Sequence, residues 1–312
     1  MGRPYGDHGA PPLIVKAATL LLYLLPVLPA QDEPATFRSG VQVVDLHISV
    51  IDKQGHLVTD LPRSAFRVFE NGAEQSVRLF RREDIPVSMG IIIDNSASMR
   101  DKRAKVAAAS LALVKASNPR DEVFIVDFSD DFFLDQPFTN DIRKLEAALG
   151  RIDAKGGTAM RDAIDLSINY VKKEGKKDKK VLLVITDGND NMSQVSLEDL
   201  IPKAQRSGVL IYSIGLLTEE TPKDAHAAKR ALKALAEASG GLDYYPKELA
   251  DVETITPQIA NEIRNQYLIE YSPSNGTLDG TFRQIKVAVN SPGHPTVRTR
   301  NGYYATPEPI RR

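Results

Sequence analysis

The stretch Ile91-Ile92-Ile93-Asp94-Asn95-Ser96-Ala97-Ser98-Met99 decides the fold of this 312-residue chain. An apolar run beginning at Val87 ends abruptly in an aspartate and two serines. Such runs, bounded by polar turn residues, read as strands buried on both faces. Asp94, Ser96 and Ser98 then lie on the loop leaving the strand's C-terminal end, where open α/β sheets bind ligands. One carboxylate and two hydroxyls within five residues are all oxygen donors, the kind that magnesium and calcium prefer. The same residues would also serve to turn the chain and cap a following helix. This stretch alone leaves both readings open.

Two later stretches bear on the choice. Gly156-Gly157-Thr158-Ala159-Met160 is a glycine loop with one hydroxyl, leading into a helical pattern. Val181-Leu182-Leu183-Val184-Ile185-Thr186-Asp187-Gly188 is a second buried strand ending in an aspartate. Here the chain resembles the von Willebrand factor type A domain. That family carries a metal-ion-dependent adhesion site built from Asp-x-Ser-x-Ser, a distant Thr and a distant Asp. The matching positions are Asp94, Ser96, Ser98, Thr158 and Asp187, in the right order and with no ligand substituted. The resemblance implies that Ser96, Ser98 and Thr158 bind a cation directly. It implies that Asp94 and Asp187 bind partly through waters. Helix capping explains Ser98 or Thr158 singly, but it explains the five together poorly.

From Pro86 to about Asn265 strands and helices alternate. Strands fall at 87–94, 122–128, 132–138, 181–186 and 209–215, with a short one at Tyr244 and Tyr245. Helices fall at 100–117, after Asp141 with Ile142, Leu145 and Leu149 as an apolar stripe, and at 162–171. Further helices start at Ser196 and Lys223, and the last carries Val252, Ile255, Ile259 and Ile263. Repeated βα units imply a mainly parallel sheet covered on both faces, a doubly wound α/β domain. The basic run from Lys172 to Lys180 reads as a solvated helix end and turn at the sheet end opposite Asp94.

Outside this region the pattern has period two. Val44, Leu46, Ile48 and Val50 alternate with Asp45, His47 and Ser49. Phe66 and Val68, then Val77 and Leu79, flank Asn71-Gly72, a strong hairpin signal. Tyr267, Ile269 and Tyr271 form one late strand, Ile285, Val287 and Val289 another, and 297–304 a third. Neither set has a core of its own, so the economical arrangement pairs 38–84 with 266–305 in a small β-sandwich. The type A domain, 85–265, is then inserted between the halves and expected to be separable. This layout resembles bacterial secreted proteins related to von Willebrand factor type A. They carry a stretch like Val68-Phe69-Glu70-Asn71-Gly72 before the domain and a Gly-Tyr-Tyr near the end.

Residues 1–30 read as an export signal, with Arg3 and Lys16 ahead of an apolar core from Ala17 to Leu28. The core is too short for a comfortable membrane span, and cleavage is expected near Ala30. An uncleaved anchor is the alternative. Residues 31–37 read as a linker and 306–312 as a tail. The chain has no cysteine, which excludes disulfides, thiolate zinc sites and cysteine nucleophiles. Export without cysteine fits a bacterial periplasmic, cell-surface or secreted protein. Five histidines are scattered without ligand spacing, and a net charge of −1 gives no basic surplus for nucleic acid.

Three neutral hydroxyls and two carboxylates would just neutralise a divalent cation and leave its shell unfilled. Magnesium is the expected ion, with calcium or manganese as alternatives. The resemblance implies that an aspartate or glutamate of a partner protein completes the shell. Asn95, Ala97, Met99, Met160, Asn189, Asp190 and Asn191 adjoin the ligands in sequence and are expected to form the rim that sets partner choice. Asp130 and Asp131 read as turn residues, and Asp162 as an inner cap of its helix. An open magnesium site would also suit hydrolysis, but the three stretches hold no histidine, cysteine or lysine to serve as base or nucleophile. The expectation is a non-enzymatic binding module. A metal-free envelope scaffold and a magnesium-dependent hydrolase are the alternatives.

Overall fold

Asn71 and Gly72 turn the chain with φ of 47° and 83°, the left-handed pair that a two-residue hairpin needs. They join β2 (Phe66–Glu70) to β3 (Ala73–Gln75), after β1 (Val44–Ile51) and before β4 (Val77–Arg82). The computed structural model describes residues 43–82, 84–151 and 154–306. The expected export signal, the 31–37 linker and all of the tail beyond Thr306 lie outside them.

The strand–helix alternation follows. It comprises β5 (Val87–Asp94), α1 (Arg103–Ala116), β6 (Glu122–Phe128), β7 (Phe132–Thr139), α2 (Ile142–Leu149), α3 (Met160–Glu174) and β8 (Lys179–Thr186). It continues with α4 (Leu197–Ser207), β9 (Leu210–Gly215), α5 (Pro222–Ser239), β10 (Asp243–Tyr244) and α6 (Val252–Arg264). The sheet runs β10-β9-β8-β5-β6-β7, parallel throughout except for β7 at the edge. Because β8 and β6 flank β5 on opposite sides, the chain reverses its winding direction at β5. Open α/β sheets form their binding crevice at such a point, outside the strands' C-terminal ends.

The β5 run is apolar on both faces because both are covered. Met89, Ile91 and Ile93 pack with Val106, Leu113, Leu145 and Ile259, from α1, α2 and α6. Ile92 points the other way, toward Met160, Ile164, Leu200 and Leu235, from α3, α4 and α5. Burying each isoleucine fully contributes about 1.5–3 kcal/mol. The α2 stripe differs from expectation at one position. Leu145 and Leu149 are buried with Ala148, whereas Ile142 is 40% exposed, standing at the helix's first position beyond the sheet edge.

Four later strands complete the chain: β11 (Tyr267–Tyr271), β12 (Phe282–Val289), β13 (Thr296–Arg298) and β14 (Gly302–Tyr304). They pair with the early ones in two four-stranded sheets, β13-β1-β11-β4 and β14-β12-β2-β3. Val44, Leu46, Ile48, Phe66, Val68, Ile269 and Val287 share one core between these sheets. The expected single strand over 297–304 is two strands in different sheets. β13 pairs with β1, and β14 pairs with β12. The chain crosses over at Thr299-Arg300-Asn301, where the apolar alternation lapses.

A buried polar seam joins these sheets to the α/β domain. Glu262 of α6 accepts hydrogen bonds from Ser49 of β1 (2.7 Å), Tyr212 of β9 (3.1 Å) and Tyr244 of β10 (3.1 Å). Gln266 Nε2 donates to Ser49 and to the Tyr212 hydroxyl. The basic run ends unlike a solvated turn. Lys179 opens β8 opposite Val87, at the sheet end away from Asp94, but it is 4% exposed and donates to the Ile263 carbonyl. Burial pushes its ammonium down to about 7, against the pull of Glu262.

Candidate metal centre

Asp94 is the last residue of β5 and is fully buried. Its Oδ1 accepts the Ser96 backbone N–H at 2.8 Å, and its Oδ2 accepts the Thr186 hydroxyl at 2.6 Å. Thr186 ends β8, the neighbouring strand, so the two strand ends are stitched together just below the crevice. Burial pushes the Asp94 carboxyl up to about 6, with Asp187 adding a like charge, despite the hydrogen bonds from Thr186 and Ser96.

The hydroxyls continue the chain of contacts. Ser96 Oγ lies 3.0 Å from Ser98 Oγ, and Ser98 donates to Asp187 Oδ1 at 2.9 Å. The other oxygen of Asp187 accepts Lys102 Nζ at 2.7 Å, and the same ammonium lies 2.6 Å from Glu219 Oε2. Ala97–Met99 forms a 3₁₀ turn and α1 starts at Arg103. Lys102 therefore follows Ser98 by four residues and returns to the same side of the chain.

Thr158 reaches this edge on the glycine loop. The Gly156 carbonyl accepts Ala97 N–H at 3.2 Å, and the Asn95 carbonyl accepts Lys155 N–H at 2.9 Å. Thr158 N–H donates to Asn191 Oδ1 at 2.9 Å, while its carbonyl accepts the N–H groups of Asn191 and Met192. The loop is thus tied to both other stretches. Gly156 has φ +78°, and a Cβ there would meet the Asp130 carboxylate at 2.4 Å. Asp130 Oδ1 in turn accepts Gly157 N–H at 2.7 Å. Asp130 is therefore more than a turn residue, because it holds the loop that presents Thr158.

The structure places the expected rim residues unequally. Met99 and Met160 are fully buried and belong to the two cores on opposite faces of the sheet. Both thioethers point into the protein interior. The Asp190 carboxylate is occupied, accepting Arg161 N–H at 2.7 Å, the Arg161 guanidinium at 3.1 Å, and Ser193. Asp162 holds the N–H groups of Gln194 and Val195 rather than capping its own helix. Asn95 and Asn189 are half-buried, and Asn95 Oδ1 has no hydrogen-bond donor. Ala97, Asn191 and Met192 are exposed at the edge, Met192 by 51%.

Sequence reading missed Thr186, Lys102, Glu219 and Met192. Thr186 directly precedes Asp187, and Lys102 stands one turn after Ser98, so both had a local signal. Glu219 comes from the β9–α5 connection and had none. Next to the cluster is a hollow of about 350 Å³, lined by Ser98, Lys102, Leu216, Glu219 and Lys247 among others.

The donor set fits a hard divalent cation. Two carboxylates and three hydroxyls supply oxygen only, and a cation would offset the cost of burying Asp94. Among the described residues no three His, Cys, Asp or Glu side chains converge. A softer, nitrogen- or sulfur-preferring ion therefore has no comparable place among the described residues.

An open, doubly wound α/β domain with a hydroxyl–carboxylate cluster at its switch point defines the class of protein. Residues 89–189 match the family model of the von Willebrand factor type A domain. The match spans all five cluster residues. A von Willebrand factor type A structure from Catenulispora acidiphila is similar, with 15% identity and a TM-score of 0.50 over 86% of this chain and 75% of that one. Also similar is the vWF domain of the type V pili tip protein from Porphyromonas gingivalis, with 14% identity and a TM-score of 0.49 over 58% of this chain and 95% of that one. A minor pilin from Streptococcus sanguinis has 14% identity and a TM-score of 0.47 over 59% of this chain and 63% of that one. No curated protein sequence matches. Among the described residues no helix is long and apolar enough to cross a membrane.

Proposed function

We propose that this chain is an exported, cation-dependent protein-binding module of the bacterial type A-related kind. Its partner presents an aspartate or glutamate to a divalent cation held by Asp94, Ser96, Ser98, Thr158 and Asp187. The observation that carries the reading is the contact chain Ser96–Ser98–Asp187, which joins the β5 and β8 stretches at one sheet edge, with the Thr158 loop tied to both through Ala97, Asn95 and Asn191. Magnesium is the first choice for an all-oxygen set of this charge, with calcium or manganese next. Such a cation, when bound, supplies a Lewis-acidic point for a hard anionic oxygen. Asp94 and Asp187 supply the anchoring charge, the three hydroxyls orient the shell, and Ala97, Asn191 and Met192 meet the partner beside it. The leader-like sequence pattern of residues 1–30 supports export.

No step of catalysis is assigned. A hydrolase needs a free base or nucleophile beside the metal, and the Lys102 amine at the cluster is committed to Asp187 and Glu219. One observation favours a metal-independent scaffold instead: Lys102 already offsets the charge of Asp187. Melting the full chain with magnesium and with a chelator separates the two. A cation that binds only the native state at a hundred times its Kd stabilises by about 2.7 kcal/mol, roughly 5–10 °C for a domain of this size. Magnesium should raise the melt, and a chelator should lower it and release a captured acidic partner. Identical melts, with capture indifferent to chelator, would establish the scaffold.

A further inference from the structure

Lys102 occupies the position in which two charges are shared. Its ammonium lies 2.7 Å from Asp187 Oδ2 and 2.6 Å from Glu219 Oε2, and its side chain is 12% exposed. Ser98 holds the other oxygen of Asp187, so the carboxylate divides its two oxygens between hydroxyl and amine. One ammonium is thus held between two carboxylates. The backbone beneath it is fixed, because the next residue, Arg103, is 2% exposed and reaches Asp127 of β6 at 3.2 Å. Glu219 differs in kind. Its side chain is 74% exposed and leans over the 350 Å³ hollow from the β9–α5 connection.

We propose that Lys102 is the site's built-in counter-cation, and that Lys102 and Glu219 together set its affinity for a divalent ion. The proposal rests on the metal-binding reading of the cluster. In the metal-free protein the ammonium offsets Asp187, as an incoming cation would. A divalent ion on the Ser98 side of that carboxylate places two positive groups on its two oxygens. Their repulsion is large at such separations in a partly buried site. The flexible lysine stem lets the ammonium lean outward, where Glu219 receives it. Cation binding thereby draws Lys102 from a bond shared with Asp187 to one carried by Glu219. A purely positioning lysine, one that merely orients Asp187, predicts the opposite sign on removal.

The test is magnesium titration calorimetry on the full chain, with manganese as a second probe. Lys102→Met should bind magnesium about tenfold or more tightly than wild type. Glu219→Gln should bind several-fold more weakly, since it removes the receiving charge. Lys247→Met, in the same hollow but without the bridge, should change affinity far less. Equal or weaker binding by Lys102→Met overturns the proposal, as does an equal gain in Lys247→Met. Glu219→Gln keeps the test open if Lys102→Met melts early in chelator, because an exposed side chain is dispensable for folding. Then unchanged affinity in Glu219→Gln overturns it. If no variant binds either ion, this inference falls with the adhesion-site reading. If wild type binds and Lys102→Met does not tighten, only this inference falls.

Discussion

The Ser98 hydroxyl donates to Asp187 Oδ1 across 2.9 Å, joining residues 89 positions apart in the chain. The contact exists because β5 and β8 are neighbours in register, Ile93 opposite Ile185. Each strand therefore delivers its terminal loop to the same point. Ser98 is itself exposed, so its removal costs one hydrogen bond at a wet edge. Ser98→Ala should change stability in chelator by no more than about 1 kcal/mol. The same variant should lose most of the magnesium-induced rise in melting temperature, because one direct donor is gone and Asp187 loses its orienting partner. Paired thermal melts, with and without magnesium, measure both effects.

Gly156→Ala tests the third stretch. The new methyl would meet Asp130 at 2.4 Å at a residue whose φ is +78°, and L side chains avoid that backbone region. The loop must shift, and Thr158 shifts with it. A loss of about 1–2 kcal/mol in urea unfolding is expected, together with weaker magnesium binding. Combining it with Asp130→Ala should relieve the clash but not the backbone strain. A double variant with wild-type stability would place the whole cost in the contact with Asp130.

How much of this could be read in advance follows from what each feature depends on. That the Asp94 and Asp187 loops meet was legible because each follows a strand that is apolar on both faces, whereas the choice of the five residues came from the family resemblance. The layout of the outer sheets was legible from period two. The wider motifs turn out to serve packing. Glu70, 3% exposed, accepts the hydroxyls of Tyr271 at 2.8 Å and Tyr303 at 2.9 Å. The Glu70-Asn71-Gly72 and Gly302-Tyr303-Tyr304 stretches are therefore two sides of one buried contact. Met99 and Met160 misled because adjacency in sequence says nothing of which way a helical side chain points. Glu219 was invisible because its approach to Lys102 depends on how the β9–α5 connection folds. Lys179 read as solvated because a basic run normally is, and only the packing of α6 over the β8 start buries it.

Lys179 gives a prediction with a definite sign. Its folded pKa, about 7, lies below the ordinary lysine value of 10.5. Between those values the unfolded chain holds a proton that the folded chain lacks. The stability associated with the neutral amine is full above about pH 10.5 and is lost as pH falls to about 7. Lys179→Met removes that dependence. Its loss of the hydrogen bond to Ile263 is the same at every pH, and Glu262 keeps its three hydroxyl donors. Relative to wild type, the variant should gain about 3 kcal/mol more at about pH 6.5 than at about pH 9.5. Urea unfolding at the two pH values measures it. A gain that is constant with pH would mean that the amine stays charged in the fold.

Asp94→Asn separates the stability of the site from its use. In the metal-free protein the Asp94 carboxyl has a folded pKa of about 6, above the ordinary aspartate value of 3.8. Raised by burial, it favours folding fully below about pH 4, and that contribution is lost as pH rises to about 6. Above that, an ionised carboxylate sits at full burial, held by one hydroxyl and one amide. Asparagine keeps the shape and the bond from Ser96 N–H, and the Thr186 hydroxyl turns to accept from the amide. In chelator at neutral pH, Asp94→Asn should therefore be more stable than wild type by about 2–3 kcal/mol. Its stability should no longer fall between pH 4 and 6. In magnesium the order should narrow or reverse, because only the wild type gains from the ion. A carboxylate that costs folding energy until a cation arrives is what a binding site keeps and a scaffold discards. If Asp94→Asn is less stable than wild type in chelator and equally raised by magnesium, the buried charge is structural and the cation binds elsewhere.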